Sequence, residues 1–136
     1  MALIMTVDDD PMIQELYDAA LTIAGHRVVA QAFDGARAIE VFRRLETRPD
    51  IVILDHRMPV VSGLDAGRAM REIEPQVRIL FVSADTSVRE AALRAGAAGF
   101  LAKPFGLSEL RALLDGMLGL SDPARPPGAT ASAPPA

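Results

Sequence analysis

The feature that most constrains this chain is an alternation. Short apolar runs at Leu3–Val7, Arg27–Ala32, Ile51–Leu54, Val77–Val82 and Gly99–Ala102 are separated by segments with helical spacing. Runs this short and this nearly all-apolar are how strands buried on both faces read, because neither face meets water. In the first intervening segment Met12, Leu16, Ala19, Ala20 and Ile23 fall on one helix face, with Gly25 placed to end the helix. Ala38, Ile39, Phe42 and Leu45 mark a second helix, and Leu64, Met70 and Ile73 a third that Pro75 stops. Val88, Ala91, Ala92 and Ala95 mark a fourth, ended by Gly96, and Leu110, Leu113, Leu114 and Leu118 a fifth.

Strand then helix, five times over, implies parallel strands joined by right-handed crossovers, with helices on both faces. Closure into an eight-fold barrel would need about 250 residues, and the chain has 136. The predicted fold is α/β: an open, doubly wound five-stranded parallel sheet in the order 2-1-3-4-5, a flavodoxin-like (βα)5 unit. It should occupy residues 1–120. Beyond it, SDPARPPGATASAPPA holds five of the ten prolines and no large apolar side chain. Such a segment cannot offset its ordering entropy by burial, so residues 121–136 are expected to be a disordered Pro/Ala-rich tail or linker stub.

With no cysteine, disulfides, thiolate nucleophiles and Cys-ligated metals are excluded. No apolar run reaches the length of about 18 residues that a spanning helix needs. The opening MALIMTVDDD lacks a basic region and a small-residue cleavage site, so a cytoplasmic protein without a membrane partner is expected. A net charge of −4 argues against direct binding to nucleic acid through its phosphates.

Open α/β sheets hold their ligands at the carboxyl ends of the strands, where the winding reverses. In the order 2-1-3-4-5 that is the crevice between the first and third strands. Asp8, Asp9 and Asp10 follow the first strand and Asp55 the third; Ser83 and Ala84 follow the fourth, and Lys103 and Pro104 the fifth. Carboxylates crowded together repel, so either some take up protons or a cation sits among them. Oxygen ligands without His or Cys suit Mg2+, which neutralises a transferring phosphoryl group. An Asp oxygen can itself be the nucleophile. A hydroxyl and an ammonium can then bind two phosphoryl oxygens, so each residue type has a task in phosphoryl transfer to Asp55.

VDDDP at 7–11, ILDHRMPVVSGLD at 53–65, FVSAD at 81–85 and FLAKPF at 100–105 resemble, as a set, the signatures of response-regulator receiver domains of the single-domain chemotaxis type. The resemblance covers roughly Leu3 to Leu120. It implies that Asp55 is the phosphoacceptor and that Asp8 and Asp9 are the acid pair, with Asp9 a direct ligand of Mg2+. The carbonyl of Arg57 would be a further ligand. It also implies that Ser83 and Phe100 are the switch residues, that Lys103 binds the phosphate, and that the Lys103–Pro104 peptide bond is cis. Ser62 stands where the family often has an acid, in the loop after the third strand.

Other roles compete at several positions. Asp10 before Pro11 reads as a helix N-cap, which leaves the acid pair as Asp8 and Asp9. Lys103 is the only lysine beside thirteen arginines. Ser83 could instead cap the turn into the fourth helix, and Phe100 could be ordinary core. His56 is expected to flank the pocket as a loop residue and His26 to lie on the surface. Arg57 and Asp85 should lie at the rim, where an ion pair between them would obstruct water and prolong the life of the phosphorylated form.

The leading functional reading is a phosphorylation-dependent two-component switch, not an enzyme. It would accept a phosphoryl group from a sensor histidine kinase or phosphotransfer protein. It would then repack the face of the fourth helix, fifth strand and fifth helix, which carries Arg89, Arg94, Arg111 and Asp115, for a downstream protein. A stand-alone receiver is favoured over a module severed from an effector domain. The enzyme alternative is a haloacid-dehalogenase-like phosphatase, for which Asp8 and Asp10 form a DxD pair after the first strand.

Overall fold

The computed structural model describes residues 1–119. The expected tail at 121–136 lies outside the described residues. The elements run β1 (Leu3–Val7), α1 (Pro11–Ile23), β2 (Arg27–Ala32), α2 (Gly35–Arg44), β3 (Ile51–Asp55) and α3 (Gly63–Ile73). They continue with β4 (Arg78–Ser83), a 3₁₀ turn at Thr86–Val88, α4 (Arg89–Arg94), β5 (Gly99–Ala102) and α5 (Leu107–Met117). The five strands form one sheet in the order β2-β1-β3-β4-β5, every pairing parallel. This is the predicted doubly wound, flavodoxin-like architecture.

The strands alternate between two apolar layers. Met5, Val7, Val52, Leu54, Ile79 and Phe81 pack with Ala38 and Phe42 of α2, Ala66 and Met70 of α3, and Ala92 of α4. Ile4, Ile51, Ile53, Leu80, Val82 and Leu101 face the other way, against Tyr17 and Leu21 of α1 and Leu110 and Leu114 of α5. Every residue of β3 is buried because both its faces are covered, which is why its sequence shows no polar alternation.

Helix ends follow local chemistry. Asp10, Asp34 and Ser62 each offer a side-chain oxygen to an otherwise unpaired first-turn N–H, at Met12 (2.9 Å), Arg37 (2.7 Å) and Asp65 (3.2 Å) respectively. Pro11 sits at the first turn of α1, where its missing N–H costs nothing. Gly25 and Gly96 end α1 and α4 with φ of +88° and +94°, the left-handed conformation that a side chain would strain.

Two expectations are corrected. The face of α1 that is buried is Gln14, Tyr17 and Leu21. Met12 (76 % exposed) and Ile23 (83 %) stand in solvent, with Leu16 and Ala19 also exposed. Two stripes of α1 share the helical period, and packing against β1 and α5 selects the one that carries the aromatic ring. His26 is buried rather than on the surface: its Nδ1 accepts the backbone N–H of Ala2 at 3.1 Å, tying the turn after α1 to the start of β1. Burial, and then the nearby N-terminal amine, lower its pKa from the ordinary histidine value.

Candidate functional site

Parallel pairing delivers four strand ends to one edge of the sheet. Asp8 leaves β1 with its N–H donated to the carbonyl of Ala32 at the end of β2. Asp55 is the last residue of β3 and Ser83 the last of β4. The backbone N–H groups of His56 and Lys103 reach back to the carbonyls of Val82 (3.0 Å) and Ser83 (2.9 Å), so each strand exit is fixed by its neighbour.

The side chains converge as the sequence predicts. Carboxylate oxygens of Asp8, Asp9 and Asp55 all lie within 4.8 Å of one another. Asp8 is 0 % and Asp55 4 % exposed, while Asp9 opens to solvent. Lys103 Nζ stands 2.9 Å from Asp8 Oδ2 and 3.1 Å from Asp55 Oδ1. One ammonium therefore bridges the acids that terminate β1 and β3. Burial raises the pKa of Asp55; hydrogen bonding and charge from Lys103 oppose this, and Asp8 and Asp9 reinforce it. Burial works against the charge on Lys103, but its hydrogen bonds to Asp8 and Asp55 prevail and its pKa is raised. Three carboxylates without His or Cys form an oxygen-only donor set suited to a hard divalent cation.

The surrounding residues divide. The Asp10 carboxylate caps α1 and so is engaged outside the cluster, while its N–H donates to Asp8 Oδ1 at 2.9 Å. Ser83 is buried, and its Oγ accepts the N–H of Asp85 at 3.0 Å. Phe100 is half-buried on β5 opposite Phe81, packed against the α2–α3 layer. The Lys103–Pro104 bond is cis. His56 is a half-buried loop residue whose carbonyl accepts the N–H of Gly63 at 2.9 Å.

The rim ion pair expected between Arg57 and Asp85 is not among the ion pairs of the described residues. Asp85 Oδ1 instead accepts the hydroxyl and the N–H of Ser87, capping the 3₁₀ turn. Those bonds, more than the charge of Arg57, lower the Asp85 pKa. A carboxylate already capping a turn has its preferred direction set by near neighbours, so Asp85 is engaged by Ser87 rather than by Arg57 in this structure.

Three further residues shape the pocket without having drawn notice in the sequence. A Cβ on Gly63 would sit 2.3 Å from the carbonyl oxygen of Asp55, so the first turn of α3 lies directly on the strand end that carries the acid. Tyr17 stacks on Phe105, two residues past Lys103, with centroids 6.1 Å apart and rings 8° from parallel. The buried Tyr17 hydroxyl has no hydrogen-bond partner among the described residues; burial, with Asp8 and Asp55 nearby, raises its pKa. Gln14 is buried under the end of β1. No spacing rule signals these three, because each depends on what another element brings within reach.

Comparison with known proteins agrees with the geometry. The chain matches the response regulator receiver domain family over residues 4–115. It is 38 % identical over 117 residues to the transcriptional regulatory protein PrrA of Mycobacterium leprae, covering 85 % of this chain and 49 % of that protein. It is 38 % identical over 122 residues to the response regulator MprA of the same organism, covering 88 % and 52 %. The chain thus spans about half the length of these curated relatives. Among solved structures it is similar to the receiver domain of the sensor histidine kinase PA1611 of Pseudomonas aeruginosa, which carries a magnesium ion in its active-site cleft. The TM-score is 0.77 and the identity 34 %, over 87 % of this chain and 98 % of that one. The receiver domain of the response regulator NarL of Mycobacterium tuberculosis gives 0.76 and 36 %, over 87 % and 97 %. From the strand order, the acids and lysine at the strand ends, and these likenesses, the chain belongs to the response regulator receiver domain family, the signalling module of two-component systems.

Proposed function

We propose that this receiver is a phosphorylation-dependent switch in which Asp55 takes a phosphoryl group from a phosphohistidine of a sensor histidine kinase or phosphotransfer protein. The observation that carries the reading is the single ammonium bridging Asp8 and Asp55 beside Asp9. In the transfer an Asp55 carboxylate oxygen attacks phosphorus, the P–N bond to the imidazole breaks, and the released imidazole takes up a proton from solvent. Asp8, Asp9 and Asp55, with the Arg57 carbonyl, would hold Mg2+, which when bound supplies positive charge to the transferring phosphoryl oxygens.

Lys103 already lies at Asp55 and turns from Asp8 to a phosphoryl oxygen of the product. The Ser83 hydroxyl, at the end of the adjacent strand, donates to another. Its movement frees space into which Phe100 rotates, and the α4-β5-α5 face repacks. That face presents Arg89, Leu93, Arg94 and Arg111 to solvent for a downstream protein. The same face serves whether the output module is tethered or separate. A cytoplasmic site of action suits a domain that depends on Mg2+ and a phosphorylated donor; no helix among the described residues is long and apolar enough to cross a membrane.

The phosphatase alternative needs Asp8 as nucleophile and Asp10 beside it, and the Asp10 carboxylate is committed to capping α1. The test is incubation with acetyl phosphate and Mg2+, read by intact mass. One phosphoryl group should be gained, and lost in Asp55→Asn or on removing the metal. Labelling that survives Asp55→Asn and disappears in Asp8→Asn would overturn the assignment.

A further inference from the structure

We infer that Gln14 is a positioning residue for the acid pair, holding the peptide that joins Asp8 to Asp9 so that both carboxylates face a divalent cation. The inference rests on the Mg2+ reading proposed above. Gln14 lies on the buried face of α1, beside Tyr17 and Leu21, and is 2 % exposed. Its Nε2 faces three carbonyls at the ends of two strands: Ala32 at 2.8 Å, Asp8 at 3.1 Å and Thr6 at 3.4 Å. Its Oε1 accepts the hydroxyl of Thr6 at 2.6 Å. Carbonyls only accept, so the end facing them is the amide nitrogen, and the Thr6 hydroxyl occupies the oxygen end. The Ala32 carbonyl also accepts the Asp8 N–H at 3.2 Å, so Gln14 joins a junction where β1 leaves the sheet beside the end of β2, and a buried amide there needs the partners it has.

The consequence reaches the site through one rigid unit. The Asp8 carbonyl belongs to the planar peptide that continues into the N–H and Cα of Asp9. Fixing that carbonyl from α1 sets the plane and therefore the direction in which Asp9 leaves. The other atoms of Asp8 are already held: its N–H by Ala32, and its carboxylate by the Asp10 N–H and Lys103. Gln14 supplies the remaining constraint. A glutamine that only satisfied strand-end carbonyls would affect folding; one that sets the Asp8–Asp9 peptide also affects cation affinity.

The experiment is a Mg2+ titration of the ¹⁵N-labelled full chain, followed by the amide shifts of Asp8 to Asp10, beside thermal unfolding. Gln14→Met keeps length and loses the polar end; its Mg2+ dissociation constant should rise on the order of tenfold, as when a group supporting a metal ligand is removed. Leu21→Ala, on the same helix face, should lower the unfolding temperature and leave the Mg2+ constant at the wild-type value. An unchanged Mg2+ constant in folded Gln14→Met overturns the inference. If Gln14→Met does not fold, Thr6→Val decides. Weaker Mg2+ binding, recovered in Thr6→Ser, supports the inference, and wild-type binding in Thr6→Val refutes it. Failure of the wild-type chain to bind Mg2+ would instead refute the metal reading on which the inference depends.

Discussion

Lys103 offers the sharpest test of how the acidic crevice is held together. Its ammonium lies 2.9 Å from Asp8 Oδ2 and 3.1 Å from Asp55 Oδ1, with the lysine side chain 23 % exposed. Unit charges this close attract by about 5 kcal/mol at an effective dielectric of about 20. Much of that is spent on desolvation, and deleting one partner of a buried pair costs about 3–5 kcal/mol. Partial exposure of Lys103 puts Lys103→Met at the lower end, about 3 kcal/mol, or about 12 °C in Tm at roughly 4 °C per kcal/mol for a domain of this size. The loss should depend on pH. Without the ammonium, the already raised pKa of Asp55 rises further. The folded variant then holds a proton that the unfolded chain releases near pH of about 4. Its stability therefore falls, relative to wild type, as pH climbs from about 4 through the folded pKa of Asp55. Thermal unfolding in metal-free buffer at a series of pH values reads both effects. A variant as stable as wild type at neutral pH, or a deficit that does not shrink toward acid, would refute the view that Lys103 neutralises the crevice.

Further outcomes follow from single contacts. Gly63→Ala drives a Cβ into the carbonyl of Asp55, and urea unfolding should show a loss of about 1–3 kcal/mol. Tyr17→Phe removes a buried hydroxyl that has no partner among the described residues while keeping the ring on Phe105, so stability should rise by about 1 kcal/mol. His26 has a lowered folded pKa, so its contribution is complete above the unfolded value and is lost as pH falls through the folded pKa. The fall in unfolding temperature of the wild-type chain between about pH 7.5 and about pH 5.5, roughly one unit to either side of the ordinary histidine value, should be shallower in His26→Gln; equal slopes would contradict this.

The five-fold alternation was sufficient for the sheet order, because parallel strands with right-handed crossovers leave few alternatives at this length. Acids at the ends of the first and third strands, with a serine and the sole lysine at the ends of the next two, were legible for the same reason: the topology says where strand ends meet. The face of α1 was not. Met12, Leu16, Ala19 and Ile23 satisfy the helical period as well as Gln14, Tyr17 and Leu21 do, and periodicity alone does not rank two stripes. Nor was the partner of Asp85 legible: its carboxylate takes the hydroxyl and N–H of Ser87, two residues on, and no ion pair with Arg57 occurs among the described residues.

What the amino-acid order determined by itself was the set of things that depend on local period and punctuation: strand, helix, cap, and which residues stand at the sheet's carboxyl edge. Tertiary structure alone decided which side of α1 is dry, that His26 is enclosed against Ala2, and that Gln14 holds the exit of β1. The physical reason is range. Backbone preference and hydrophobic patterning act over a few neighbouring residues, whereas a hydrogen bond is made or lost within a few tenths of an ångström between groups that only the finished packing brings together.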